Sequence, residues 1–233
     1  EGPELSLFAL AAGEDAIALP PARDYKRIGD GDVGPNTGGM GSFSPLPDVR
    51  DDAADEILET VHRPVLHELA RRGTPFHGCL YAGLIRTADG LRVIEFNCRF
   101  GDPETQSILP RLEGDLLTAL AAAAGGDLRG VELAATDDAA VTVTIAGGSY
   151  PAAGDRGTPI EGVAEAEAAG ALVFHAGTAL HDGRLVTNGG RILNVTGVGA
   201  TVAEARARAY AGAERISFAG ARYRSDIAEV VHA

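Results

Sequence analysis

The chain opens on two short apolar runs, Leu5–Leu10 and Ala16–Leu19, joined through Ala12–Gly13–Glu14–Asp15, a pattern that predicts a β-hairpin. From Asp51 to Arg72 the apolar positions change period. Ala54, Ile57, Leu58, Val61, Val65, Leu66 and Leu69 fall on one helical face. Pro64 should kink that helix or split it, and Gly73 is a natural stop. Gly78–Arg86 and Leu91–Asn97 read as strands around Ala88–Asp89–Gly90, a second hairpin signal. Leu116–Ala124 is an Ala/Leu helix closed by Gly125–Gly126. Between the first hairpin and the first helix, Asp24 to Pro47 is rich in Gly, Asp, Asn and Pro. That composition predicts a long loop, ordered or disordered.

The remainder reads as a second unit. Ala139–Ala146 is a strand ended by Gly147–Gly148–Ser149–Tyr150–Pro151, and Leu172–His175 and Thr178–Leu180 are short strands. Arg184–Thr187 and Arg191–Val195 flank Asn188–Gly189–Gly190 as a further hairpin. Thr201-x-x-Glu204 has capping-box spacing and starts a helix whose buried stripe is expected at Ala203, Ala207, Tyr210 and Ala211. The expected boundary lies near residue 130, giving units 1–130 and 131–233. The expected class is α+β with mostly antiparallel pairs.

Composition narrows the function classes. The 233 residues are 45% hydrophobic and carry a net charge of −13, so the chain can bury a core, and its acidity argues against a general nucleic-acid groove. No uncharged apolar run approaches the roughly 18–20 residues that cross a bilayer, so no membrane span is expected. Cys79 and Cys98 do not make a disulfide framework; they fall on opposite faces of neighbouring strands, which favours a reducing, cytoplasmic setting. One lysine against nineteen arginines suggests a genomic base-composition bias. Residues 1–60 hold 13 acidic and 4 basic residues, so the acidity is concentrated at the start. A first residue that is Glu rather than Met is not expected to be a natural start.

The most informative segment is Val93-Ile94-Glu95-Phe96-Asn97-Cys98-Arg99-Phe100-Gly101-Asp102-Pro103-Glu104. In a strand, Glu95 and Asn97 share a face. A carboxylate and a carboxamide oxygen so placed can hold a hard divalent cation, since magnesium commonly takes one or two protein oxygens and fills its octahedron with phosphate and water. A hairpin turning at Asp89 sets Gly83 opposite Glu95 and Tyr81 opposite Asn97. The same spacing also fits an edge strand whose polar residues face water. Arg99 can bind carboxylate or phosphate, or can pair with Asp102 or Glu104. Lys26 and Arg27 form the only adjacent Lys/Arg pair in the acidic opening; they suit phosphate charge, or salt bridges to Asp24, Asp30 or Asp32. The glycines from Gly29 to Gly41 permit an anion nest. The Asp-rich stretch lacks EF-hand spacing, so calcium is discounted. His175 reads as structural, and His62, His67, His77, His181 and His232 show no metal-ligand spacing. No Gly-x-Ser-x-Gly elbow or Walker lysine loop is present.

Asp24-Tyr25-Lys26-Arg27, Gly29-Asp30-Gly31-Asp32, Gly34-Pro35-Asn36-Thr37-Gly38-Gly39-Met40-Gly41 and Glu95 through Glu104 together resemble the phosphoribosylamine–glycine ligase family of ATP-grasp enzymes. Phe174-His175-Ala176-Gly177-Thr178 and Val186-Thr187-Asn188-Gly189-Gly190-Arg191 resemble that family's small C-terminal domain. The resemblance runs over essentially the whole chain. It implies an ADP-forming ligation of glycine to 5-phosphoribosylamine in purine synthesis, with ATP as co-substrate and Mg2+ (or Mn2+) on Glu95 and Asn97. By the same resemblance Arg99 and Lys26 steady the acyl phosphate. Asp24, Arg27, Asn36, Thr37, Gly38, Gly39, Gly41, Asp102 and Glu104 belong to the substrate sites. Glu1-Gly2-Pro3-Glu4 falls just after the family's adenine-binding hinge, so the expected chain is the C-terminal part of an ATP-grasp domain followed by a small α+β domain, without its N-terminal half. Cys98 stands where the family pattern has Ala. The alternatives are a related ATP-grasp ligase using another carboxylate and a non-catalytic binding or assembly fragment.

Overall fold

The computed structural model describes residues 2–50 and 52–229. Glu1, the Asp51 end of the helical pattern and His232 lie outside the described residues. Two compact units interleave along the chain: Glu1–Arg23, Pro45–Gly101 and Arg111–Asp137 form the first, Asp24–Ser44, Asp102–Pro110 and Asp138–Ala233 the second. Each unit is drawn from three stretches of the chain. The Gly41–Ser44 strand pairs with Ala139–Ala146, which carries the early segment into the later unit.

The first unit is built on an antiparallel sheet in the order Asp15–Ala18, Glu4–Ala12, His77–Thr87, Gly90–Asn97. Both expected hairpins form, and Gly13 takes a positive φ of 70° in the first turn. Leu5, Leu7 and Ala9 pair with Leu84, Ala82 and Leu80, so these residues share one face of the sheet. Ala9, Ala11 and Leu80 on that face cluster with Leu58 and Leu66 from the helical segment. Complete burial of Leu66 and Leu84 is worth about 1.5–3 kcal/mol each. The helical segment is split as expected, into Ala53–Ile57 and Arg63–Arg71 with one wide π turn, Leu58–His62, between them. Pro64 sits in the first turn of the last piece, where its missing N–H leaves no extra gap. The Leu116–Gly125 helix is capped by Asp115, which accepts from Thr118 N at 3.0 Å, and ends on left-handed Gly126.

The second unit holds a five-stranded sheet ordered Leu172–His175, Arg191–Gly199, Ala139–Ala146, Gly41–Ser44 and then Asp24 at the edge. Arg184–Gly189 does not pair with Arg191–Gly199 as a hairpin. It joins Asp155–Pro159 and Thr178–His181 in a separate three-stranded sheet. The chain changes sheet at Gly177 and again at Gly189–Gly190. These corners need glycine: a Cβ on Gly177 would lie 2.8 Å from the Gly189 Cα, and one on Gly190 would lie 2.4 Å from the Tyr150 ring. The segment expected as a loop from Asp24 to Pro47 is in part strand, with a small hairpin of Arg27–Gly29 and Val33–Asn36. The hairpins of both units, the Glu4–Ala12 pairing with His77–Thr87 and the pairings of Ala139–Ala146 with its two neighbours are antiparallel.

The Val202–Ala213 helix begins where expected, with Thr201 Oγ1 accepting from Glu204 N at 3.1 Å. Its buried stripe is Ala205, Ala209, Gly212 and Ala213; Ala203, Ala207 and Ala211 are exposed, contrary to the expected stripe. In so alanine-rich a helix, side-chain periodicity does not mark a face. The partner strand does: Gly197 and Gly199 lie under Ala205 and Ala209, so the helix backbone rests almost on the strand backbone. Among the described residues no helix is long and apolar enough to cross a membrane.

A Cβ on Gly197 would lie 2.2 Å from Ala205 O and 2.4 Å from Ala209 N. Gly197→Ala should therefore cost roughly 1–3 kcal/mol in a urea titration. Gly125→Ala, with open space around its Cβ, should be neutral or stabilising by up to about 1 kcal/mol. Equal stability of Gly197→Ala and the parent would refute the helix seat. Both thiols are free; Cys98 is exposed and burial pushes Cys79 up to about 12. Ellman's reagent should modify Cys98 in the native protein and Cys79 only after denaturation.

Candidate functional site

The Gly90–Asn97 strand pairs regularly from Thr87↔Gly90 to Leu84↔Val93, and then Ile94 is extra. Beyond this bulge Gly83 pairs with Glu95, Ala82 with Phe96 and Tyr81 with Asn97. These are the partners expected from a turn at Asp89. The hairpin in fact turns on Ala88–Asp89, and the bulge makes up the offset. Paired residues share a face, and Ser6 and Phe8 pair with Gly83 and Tyr81. Glu95 and Asn97 therefore stand on the face that carries Ser6, Phe8, Tyr81 and Gly83. Tyr81 Oη and Ser6 Oγ are 3.0 Å apart, and the Phe8 and Tyr81 rings are 5.0 Å apart. Phe96 faces the other way, its ring 6.3 Å from that of His62. Burial pushes the His62 imidazole below its usual range, so it packs there as a neutral ring.

Asn97 Nδ2 donates to Glu95 Oε1 at 3.1 Å, so the two side chains already meet. A Cβ on Gly83 would lie 3.3 Å from Glu95 Cγ and 3.2 Å from Tyr81 Oη; glycine leaves that space to the pair. Among the described residues no group of three or more His, Cys, Asp and Glu gathers to hold a metal. One carboxylate and one carboxamide oxygen are nevertheless a sufficient protein share for magnesium that also binds phosphates. A rotation of the Asn97 amide would turn its oxygen toward the same point. The donor set and the cradle over Gly83 both fit such an ion. Arg99 follows the strand, exposed, with its guanidinium donating to Phe100 O at 3.0 Å.

In the second unit the Asn36–Gly41 turn lies against a polar sheet face. Ser42, Thr142, Thr144, Asn194 and Thr196 are fully buried. Thr142 and Thr196 hydroxyls are 2.8 Å apart, and Thr144 Oγ1 donates to Asn194 Oδ1 at 2.7 Å. Asn194 Nδ2 donates to Asp102 Oδ1 at 3.1 Å, as does Gln106 Nε2. Arg191 NH1 donates to the carbonyls of Gly38 and Asp102, both at 2.5 Å, and its NH2 lies 3.3 Å from Asp102 Oδ2. Tyr150 Oη accepts from Gly38 N at 2.7 Å. Gly39, at φ 109°, passes where a Cβ would lie 2.3 Å from the Pro103 ring.

The predicted residues thus fall into two groups. Glu95, Asn97 and Arg99 are together at the end of one strand of the first unit. Asp24, Lys26, Arg27, Asn36, Thr37, Gly38, Gly39, Gly41, Asp102 and Glu104 belong to the second unit. Thr37 binds Lys26 O through both N and Oγ1, at 2.7 and 2.8 Å, and Arg27 NH1 donates to Gly34 O at 2.7 Å. The Asp102 carboxylate is taken up by Arg191, Asn194 and Gln106, and Glu104 is buried in the first turn of the Glu104–Ile108 helix. Both therefore serve first as scaffold. Arg191, Asn194 and Tyr150 were not singled out from sequence. Their signal is polar residues at alternate positions of otherwise apolar strands, Thr142-x-Thr144 and Asn194-x-Thr196.

Comparison with known proteins identifies the family. Residues 1–105 match the family "Phosphoribosylglycinamide synthetase, ATP-grasp (A) domain", and residues 140–230 match "Phosphoribosylglycinamide synthetase, C domain". A phosphoribosylamine–glycine ligase from Streptomyces coelicolor is 51% identical over 98% of this chain, which covers 56% of that protein. One from Agrobacterium fabrum is 48% identical over 97% of this chain, which covers 53% of it. The solved phosphoribosylamine–glycine ligase of Thermotoga maritima superposes with a TM-score of 0.84 at 39% identity, over 97% of this chain and 56% of that one. The chain thus spans little more than half the length of these relatives. Matched along nearly its whole length to this ATP-grasp domain and its C domain, the chain belongs to the phosphoribosylglycinamide synthetase family.

Proposed function

We propose that the chain carries the metal-binding and substrate-loop part of an ADP-forming ligase that joins glycine to 5-phosphoribosylamine. The observation that carries this reading is the Glu95–Asn97 pair set over Gly83. In the reaction, a glycine carboxylate oxygen attacks the γ-phosphorus of ATP, giving glycyl phosphate and ADP. The phosphoribosylamine nitrogen then attacks the glycyl carbonyl, phosphate leaves, and the nitrogen gives up a proton. A divalent ion, Mg2+ or Mn2+, held by Glu95 and Asn97 supplies charge neutralisation to the phosphates.

The chain's own residues do the rest by placement. Carboxylate and phosphate repel, so cations fixed beforehand lower the cost of bringing them together. Exposed Arg99 offers a planar fork to the acyl phosphate, and Lys26 adds a second positive charge. Asp24 suits an amine. Arg27 and the turn at Asn36, Thr37, Gly38, Gly39 and Gly41 offer donors to phosphate and carboxylate, with Asp102 and Glu104 fixing the turn from beneath. The partner of this part is the N-terminal remainder present in its longer relatives. The two free thiols suit a reducing compartment such as the cytoplasm.

In a protein of full family length, ADP release should require glycine, 5-phosphoribosylamine and magnesium together. Glu95→Gln should lower kcat on the order of a hundredfold or more and raise the magnesium needed for half-maximal rate. Near-normal turnover in Glu95→Gln would remove the metal assignment. ADP release that responds to formate or bicarbonate instead of glycine would favour a related ligase.

A further inference from the structure

The turn Asp30–Gly31–Asp32 puts two acids in the middle of the substrate loop, where they would oppose an anionic ligand. In the structure this turn is exposed, yet both of its carboxylates bond to the 224–225 stretch of its own unit. Arg224 is 2% exposed and meets Asp226 through two hydrogen bonds, each 2.7 Å. Its remaining terminal nitrogen donates to Asp32 Oδ1 at 3.2 Å and to Arg27 O at 3.0 Å, and its guanidinium lies 4.8 Å from the Tyr25 ring centre. Asp226 Oδ2 in turn accepts from Gly31 N at 2.8 Å. Asp30 accepts from Ser225 N at 2.8 Å and from the Ser225 hydroxyl. Tyr25 Oη accepts from Ala228 N at 2.9 Å.

The far side of this clamp is itself anchored. Arg206, on the Val202–Ala213 helix, donates to Ser225 O at 2.6 Å and Ile227 O at 2.9 Å. Tyr210 Oη donates to Arg224 O at 2.7 Å and accepts from Ile227 N at 3.0 Å. A rigid helix therefore holds the 224–228 segment, and that segment holds both ends of the Arg27–Asn36 hairpin's first strand and turn. A buried guanidinium paired with carboxylates is a poor source of stability, but it does fix register between segments 195 residues apart in sequence.

We infer that Arg224 is a positioning residue for substrate binding: it and Asp226 hold the Asp30–Asp32 turn so that Lys26, Arg27 and the Asn36–Gly41 turn are presented to the phosphate- and amine-bearing substrate. This rests on the reading of the loop as a substrate site. The acids of the turn then serve the clamp and do not face the ligand.

The test compares Arg224→Met and Asp30→Ala with the parent, in a protein of full family length. Asp30 is exposed, so its variant tests the clamp even where loss of the Arg224 charge impairs folding. Both variants should speed hydrogen exchange of the Ile28–Asn36 amides at least several-fold. KM for 5-phosphoribosylamine should rise on the order of tenfold to a hundredfold, with KM for ATP within about twofold of the parent. Arg224→Lys, which keeps the charge but not the planar fork of donors, should recover part of the KM. Unchanged exchange at Ile28–Asn36 in both variants would overturn the clamp. Faster exchange with every KM unchanged would overturn the loop's role in substrate binding.

Discussion

One extra residue in a strand decides which way the proposed metal ligands point. Without the bulge at Ile94, the regular register begun at Thr87↔Gly90 would set Glu95 opposite Ala82. A carboxylate would then be driven toward the face where Leu80, Ala82 and Leu84 are buried under the helical segment. With the bulge, Phe96 takes that apolar side against His62, and Glu95 and Asn97 turn to the face of Ser6 and Gly83. The bulge thus sets which face each side chain takes, because a shift of one residue moves every later side chain to the other side.

The second unit solves a related problem by different means. Its central strands bury hydroxyls and an amide on one face, and each finds a partner on the neighbouring strand or on Asp102. A fully satisfied buried network is stiff, whereas a half-satisfied one is costly. The stiffness is passed outward through Arg191 and Tyr150 to the Gly38–Gly39 turn. Glycine is needed at that turn because Pro103 leaves no room for a Cβ on Gly39. Glycine-rich sequence therefore does not mean a slack loop in this protein. The chain's flexibility at these positions is used to bring backbone against backbone, and the surrounding hydrogen bonds then remove that freedom.

Much of this was legible in the residues themselves. Both hairpins of the first unit, the break before Pro64 and the cap at Thr201 follow from local period and turn chemistry, whereas the Gly83–Glu95 and Tyr81–Asn97 pairing is reached only through the bulge at Ile94. What was not legible depends on distant partners. The buried stripe of the Val202–Ala213 helix is chosen by glycines in a neighbouring strand, since alanine on every face leaves its own pattern silent. Asn188–Gly189–Gly190 looks like a hairpin turn but is a corner between sheets, because Gly177 packs against it from a second crossing. Asp30 and Asp32 read in sequence as possible partners of nearby Lys26 and Arg27, whereas the structure pairs them with Ser225 and Arg224, far along the chain.

The central claim is that the divalent ion sits over Gly83, between Glu95 and Asn97, and not in the acidic turn at Asp30–Asp32. Manganese can replace magnesium as a paramagnetic probe in the family-length protein with ATP present, and the broadening of backbone amide signals then locates the ion. Broadening strongest at Gly83 and Glu95–Asn97, with Asp30–Asp32 little affected, is the predicted result. Broadening centred on Asp30–Asp32, with the signals of Gly83 and Asn97 unchanged, would contradict it.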